Sequence, residues 1–238
     1  MSNLRLHKSN TRGEADFGWL KAKHTFSFGS YYNPERVQFG ALRVLNDDIV
    51  APAMGFNTHP HDNMEIITIP LEGGVKHRDS MGNEAIVKAG EVQVMSAGTG
   101  IKHSEHNASQ KDPLKLLQIW VLPNKKNVEP RYQQISLDKT KMNNTFYQIV
   151  SPNQDDEGVW IHQNAWFHLA DINTGNSLSY DLKSKENGVY VFVIEGSLSV
   201  SDYILEQRDG LEIIDLGKIE LSAITDCRVL VMEVPMIN

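Results

Sequence analysis

Short runs of β-branched and aliphatic residues, each cut off by glycine, asparagine or aspartate, follow one another along most of this 238-residue chain. Helix signals are weak beside them, so the chain is expected to fold as many short strands. The pattern predicts strands over 39–45, 65–71, 75–78, 84–88, 91–95, 114–122 and 190–194. The first is expected to end at Asn46, Asp47 and Asp48. The segment 79–83 reads as a hairpin turn between two strands. Many short strands with tight turns point to an all-β fold of the barrel or jelly-roll type.

The length suits one large domain or two packed domains of about 100 to 120 residues each. The polar stretch 123–130 carries two prolines and is the best linker candidate. It divides the chain into an expected N-terminal barrel, 1–125, and a C-terminal barrel, 130–238. The halves resemble a weak repeat. Leu71-Glu-Gly-Gly-Val and Ile194-Glu-Gly-Ser-Leu each follow a β-rich strand, and each precedes a hairpin, a glycine and a further apolar strand.

A net charge of −7 and the lack of a long basic run argue against a sequence-independent grip on nucleic acid. Lys125 and Lys126 read as a solvated loop. No apolar run approaches the ~20 residues of a membrane span. The start of the chain lacks the apolar core of a signal peptide. Cys227 is the single cysteine and sits in an apolar stretch, so a buried, inert thiol in a reducing compartment is expected. Together these predict a cytoplasmic protein.

Two short segments carry the chemistry. In Gly55–Glu65, His59 and His61 are two residues apart, so a strand aims both imidazoles to one side. Pro60 between them cannot donate a ladder hydrogen bond, which places this strand at an edge or a bulge. In Gly98–Asn107, His103 and Glu105 repeat the spacing. A His-x-His pair alone is a weak signal. Three neutral nitrogen donors and one carboxylate together suit a divalent first-row metal and leave positions open for catalysis.

The stretches 55–82 and 89–107 resemble the two metal motifs of the pirin family, within the cupin superfamily. The segment Trp19–Pro34 resembles that family's N-terminal block, and the second half resembles its C-terminal barrel loosely. The near match is to short bacterial pirins that act as quercetin 2,3-dioxygenases. The resemblance implies a bicupin with one metal site in the first barrel. It implies His59, His61, His103 and Glu105 as the ligands. Most cupins use a glutamate placed where Glu65 stands, whereas the pirin pattern puts the carboxylate at Glu105. Glu65, four residues after His61, is expected to face the same side as a supporting or structural group. Aligning the Glu-Gly turns sets Leu182 and Ser184 opposite His59 and His61, so the second barrel is expected to hold no metal.

Other histidines carry weaker signals. His77 either lines the pocket or sits at the surface or behind the ligands. His106 is expected to point away. His24 with Phe26, Phe28, Tyr31 and Tyr32 forms either an aromatic wall over the metal or, the favoured reading, ordinary core. His7, His162, Trp160 and Trp166 are assigned no function.

The resemblance implies a metal-dependent dioxygenase that opens the heterocyclic ring of quercetin-like flavonols with O2 and releases CO. Glu105 would serve as ligand and base. Fe(II) is the expected metal, with Mn, Ni, Co, Cu and Zn as alternatives. The second reading is a metal-binding regulator that senses iron redox state through protein partners. A third, a decarboxylase or isomerase of small anions, ranks last because Lys76, Arg78 and Lys102 mostly face outward. A monomer is expected, because the second barrel can cover the first.

Overall fold

The computed structural model describes residues 4–237. The opening Met-Ser-Asn of the N-terminal stretch lies outside the described residues. The fold is all-β, with two short 3-10 turns, Ser9–Thr11 and Lys139–Met142, as the helical elements among the described residues. Among the described residues no helix is long and apolar enough to cross a membrane.

Four antiparallel-dominated sheets make two jelly rolls. The first pairs a seven-stranded sheet with a four-stranded one built from Gly55–His61, Ile101–Asn107, Gly74–Asp79 and Glu84–Lys88. The second repeats the plan, with Ser177–Asp181, Lys218–Ala223, Leu198–Val200 and Tyr203–Leu205 in its small sheet. Strand pairing crosses the expected boundary twice. Leu4–His7 pairs with Gly210–Ile213 in the second barrel, and Arg131–Ser136 pairs with Glu91–Ser96 in the first. Each half thus lends an edge strand to the other, which covers edges that would otherwise be open.

The two seven-stranded sheets pack against each other. Leu42, Leu45, Ile67 and Ile119 from one meet Phe167, Tyr190, Phe192 and Met232 from the other in the largest core. Each of these side chains contributes about 1.5–3 kcal/mol by burial. The central strands of these sheets are covered on both faces. Their near-continuous apolar runs, such as Val189 to Ile194, follow from that. One strand differs from the sequence reading. Leu42–Val50 runs straight through Asn46, Asp47 and Asp48. These polar residues do not end it, because Asn46 and Asp48 turn into the first barrel and Asp47 meets Arg12 and Arg208 on the opposite face.

The barrel interiors differ in chemistry. Val189, Val191, Val193, Leu221, Val229 and Val231 help fill the second with hydrocarbon. Its one end is closed by Glu233, a fully buried carboxylate. Glu233 accepts hydrogen bonds from the Tyr180 hydroxyl (2.9 Å), the backbone N–H groups of Lys183 and Ser184 (2.9 Å each) and the Asn187 amide (2.9 Å). Removing the carboxylate orphans all of these donors. Glu233→Ala should therefore cost about 3 kcal/mol or more, read as a lower urea midpoint. A loss below about 1 kcal/mol would show that this cap is dispensable.

Candidate metal centre

His59 and His61 lie on the edge strand of the small sheet, where Pro60 forfeits no needed hydrogen bond. The neighbouring strand sets His103 opposite His59 and Ile101 opposite His61. A bulge follows, so Glu105 faces Phe56 rather than Asn57. Gly55 allows this approach: a Cβ there would run into the Glu105 carbonyl and His106. The rings of His59, His61 and His103 converge, with centroids 4.4 to 4.9 Å apart. One nitrogen of each lies within 4.8 Å of the others.

The donor set fits a divalent ion. Both ring nitrogens of His103 are buried without a hydrogen-bond partner, a costly arrangement unless something binds there. His59 Nδ1 lies 2.7 Å from the Asn57 carbonyl. Donation there leaves the Nε2 lone pair free, the usual way a ligating imidazole is oriented. Burial pushes the His61 imidazolium down to about 4 and that of His103 to about 2, with the neighbouring histidines adding to it. Both rings are neutral at physiological pH, the form that binds metal.

Glu105 is placed differently. Its oxygens accept from Thr68 Oγ1 (3.2 Å) and Gln118 Nε2 (2.6 Å). It groups with His103 and His77 within 4.8 Å, not with His59 and His61. Two overlapping donor groups therefore share His103. His77 is fully buried, with Nε2 3.1 Å from Asp79 Oδ2 and its ring 4.8 Å from that of Tyr132. It stands inside the barrel behind His103 rather than at the surface.

A row of polar side chains crosses the large sheet beneath these groups. Strand register sets His24 beside Asn46, Asn46 beside Gln118, Gln118 beside Thr68, and Thr68 beside Gln93. His24 Nδ1 meets Asn46 Oδ1 at 2.9 Å, and the Trp120 indole donates to Gln118 Oε1 at 3.1 Å. Gln118 is thereby oriented from both ends.

Above the row lies a cavity of about 310 Å³. His59, His61 and Glu105 reach it, and Phe28, Phe56 and Trp120 supply aromatic wall. His24 lines it too. The aromatic run of the sequence thus splits. Phe28 is wall, Phe26 is buried between the barrels, and Tyr32 is 73% exposed. Glu65 corrects the sequence reading. The chain turns at Asn63, with φ 44°, and changes sheet, so four-residue spacing no longer preserves the face. Glu65 instead accepts from Ser96 Oγ at 2.6 Å and lies near Arg131. Sequence reasoning missed Gln118, Thr68 and Asp48, whose signal was only a polar residue inside an apolar strand.

Burial raises three carboxyls of this barrel. Glu105 and Glu65 stand at about 7 and Asp48 at about 8. A raised folded-state value means the folded protein keeps protons that the unfolded chain has released. The stabilisation is present below the ordinary carboxylate range and is lost as pH rises through 7 to 8. The metal-free protein should therefore melt at progressively lower temperature from pH 6.5 to 8.5. A flat or rising profile by calorimetry would contradict this assignment.

Residues 5–121 match the pirin family, and residues 148–234 match a family described as the quercetinase C-terminal cupin domain. The chain is 41% identical to quercetin 2,3-dioxygenase of Escherichia coli over 236 residues, covering 98% of this chain and 99% of that protein. It is 38% identical to a pirin-like protein of Caulobacter vibrioides over 222 residues, covering 93% and 95% of the two chains. The crystal structure of the bacterial pirin YhhW of E. coli in complex with nickel(II) superposes with a TM-score of 0.93 at 39% identity, covering 98% of this chain and 100% of that one. With two cupin barrels and a histidine cluster suited to a single divalent metal, this chain belongs to the pirin family.

Proposed function

We propose that the protein is a metal-dependent dioxygenase that opens the heterocyclic ring of quercetin-like flavonols with O2 and releases CO. The observation that carries this reading is the placement of His59 and His61 at an aromatic-walled cavity large enough for a small-molecule ligand. The relatives named quercetin 2,3-dioxygenase support it. The metal is held by His59, His61, His103 and Glu105, the last closing on the ion by a side-chain movement away from Gln118 and Thr68. Iron(II) is the metal proposed, and the nickel(II) complex of the related pirin indicates that such a site accepts other first-row ions.

A divalent ion, when bound, supplies Lewis acidity that makes a neighbouring hydroxyl more acidic. The chain's own residues do the rest. Phe28, Phe56 and Trp120 hold a flat ligand and exclude water. Glu105 accepts the proton of the flavonol 3-hydroxyl, which leaves the heterocycle electron-rich toward O2. Both oxygen atoms enter the organic product, and one ring carbon leaves as CO. Before the ion binds, Thr68 and Gln118 hold the two Glu105 oxygens, and Trp120 fixes Gln118. A cavity walled by aromatic side chains beside the histidines favours this reading over a regulator that works through protein partners.

Metal-reconstituted protein should consume quercetin in air and release CO into the headspace, and His59→Ala should reduce both to background. Turnover absent with iron, manganese, nickel, cobalt and copper alike would refute the reading. Glu105→Ala should lower turnover by about 10²–10⁴-fold while lowering metal content far less, because it removes a base as well as a ligand. Parallel loss of both would confine Glu105 to holding the metal.

A further inference from the structure

Asp47 and Asp48 are neighbours in sequence and opposite in fate. Strand alternation turns Asp47 to the outer face of its sheet, where Arg12 and Arg208 each lie 3.3 Å from Oδ2. Asp48 turns into the first barrel, beside Ala22 and Leu116 in the strand register. It is 3% exposed, and its Oδ1 has no hydrogen-bond partner. Yet it borders the cavity that His59 and His61 reach.

Nothing in the fold accounts for a carboxyl at this point. The same strand places Val44 and Val50 on the inward face, and both are buried and apolar. A valine at position 48 would continue that face. Burying a polar group without a partner is costly. Such a group persists where something outside the chain completes it. Here that partner enters through the cavity. The histidines come from the small sheet and Asp48 from the large one, so the cavity offers polar groups on two walls, with Phe28, Phe56 and Trp120 among the residues around them.

We propose that Asp48 is the recognition group of this cavity, hydrogen-bonded to a ring hydroxyl of a polyhydroxylated aromatic ligand other than the hydroxyl that approaches the histidines. This rests on the proposed function for the ligand class and adds the feature that selects within it. A carboxyl accepts from a hydroxyl in either protonation state, so the assignment does not depend on the charge of Asp48. It makes the protein selective for ring substitution, where aromatic walls alone would take any flat ligand of the right size.

The test is binding of quercetin and of 3-hydroxyflavone, which lacks the other ring hydroxyls, to the nickel-loaded protein under nitrogen. Quenching of tryptophan fluorescence reports it, since Trp120 lines the cavity. Asp48→Val should weaken quercetin about tenfold, the effect of one hydrogen bond to a buried polar group. It should leave 3-hydroxyflavone within about twofold, and metal content unchanged. It should also melt at or above the wild-type temperature, because a buried group without a partner is replaced by hydrocarbon. A purely structural Asp48 would instead lower the melting temperature and shift both ligands alike. Equal shifts, or none, overturn the proposal, as does a wild type that binds neither ligand. A wild type that shows the selectivity but cleaves no quercetin in air after reconstitution with iron, manganese, nickel, cobalt or copper supports the recognition role and overturns the dioxygenase chemistry alone.

Discussion

A row of polar side chains, one from each of five successive strands of the first large sheet, sets what this barrel can hold. Glu105 has both oxygens tied to that row through Thr68 and Gln118. A buried carboxyl in a hydrocarbon barrel would be strongly disfavoured. Here the cost is offset by donors that are themselves oriented, Gln118 by Trp120 and Thr68 by its place in the ladder. The second barrel shows the alternative. With mostly aliphatic side chains in the corresponding interior, it holds a packed apolar core and keeps the buried carboxylate Glu233 as a structural cap. The same fold thus yields a ligand site or a packed core according to a few inward positions.

The sheet-on-sheet interface lets the first barrel remain partly open. Side chains facing away from the metal, such as Leu117, Ile119 and Ile67, bury against the partner sheet. The strands are therefore held from behind, and their inward faces need not pack tightly to be stable. The exchanged strands Leu4–His7 and Arg131–Ser136 bind the halves further. Arg131 links both: it lies over the Trp160 ring at 3.9 Å while facing Glu65. Positional precision at a site built on strands benefits from such support.

The strand-rich fold and the histidine cluster were legible in the sequence because both rest on period-two alternation. His59 and His61 share a face by spacing alone, the resemblance to the pirin motifs adds His103, and the strand register brings the two segments together. What the spacing could not convey is where the chain changes sheets. Glu65 was misread for that reason, since the turn at Asn63 resets the face. His77 sits on a strand with an ordinary polar alternation, and only the barrel's closure reveals that its side faces inward. His7 looked uninformative near the terminus, but its strand is donated to the other barrel, where Nδ1 lies 3.0 Å from the Tyr190 hydroxyl. Asn46 and Asp48 looked like the end of a strand because Asn and Asp usually mark turns. Tertiary burial overrode that local preference.

The most direct test concerns which donors take the metal, because His103 belongs to two groups. Crystals of the nickel-loaded protein, measured at the nickel absorption edge, locate the ion by its anomalous signal. A single peak is expected among His59, His61 and His103, with Glu105 turned toward it from Gln118. A peak between His77, His103 and Glu105, leaving His59 and His61 unligated, would contradict it.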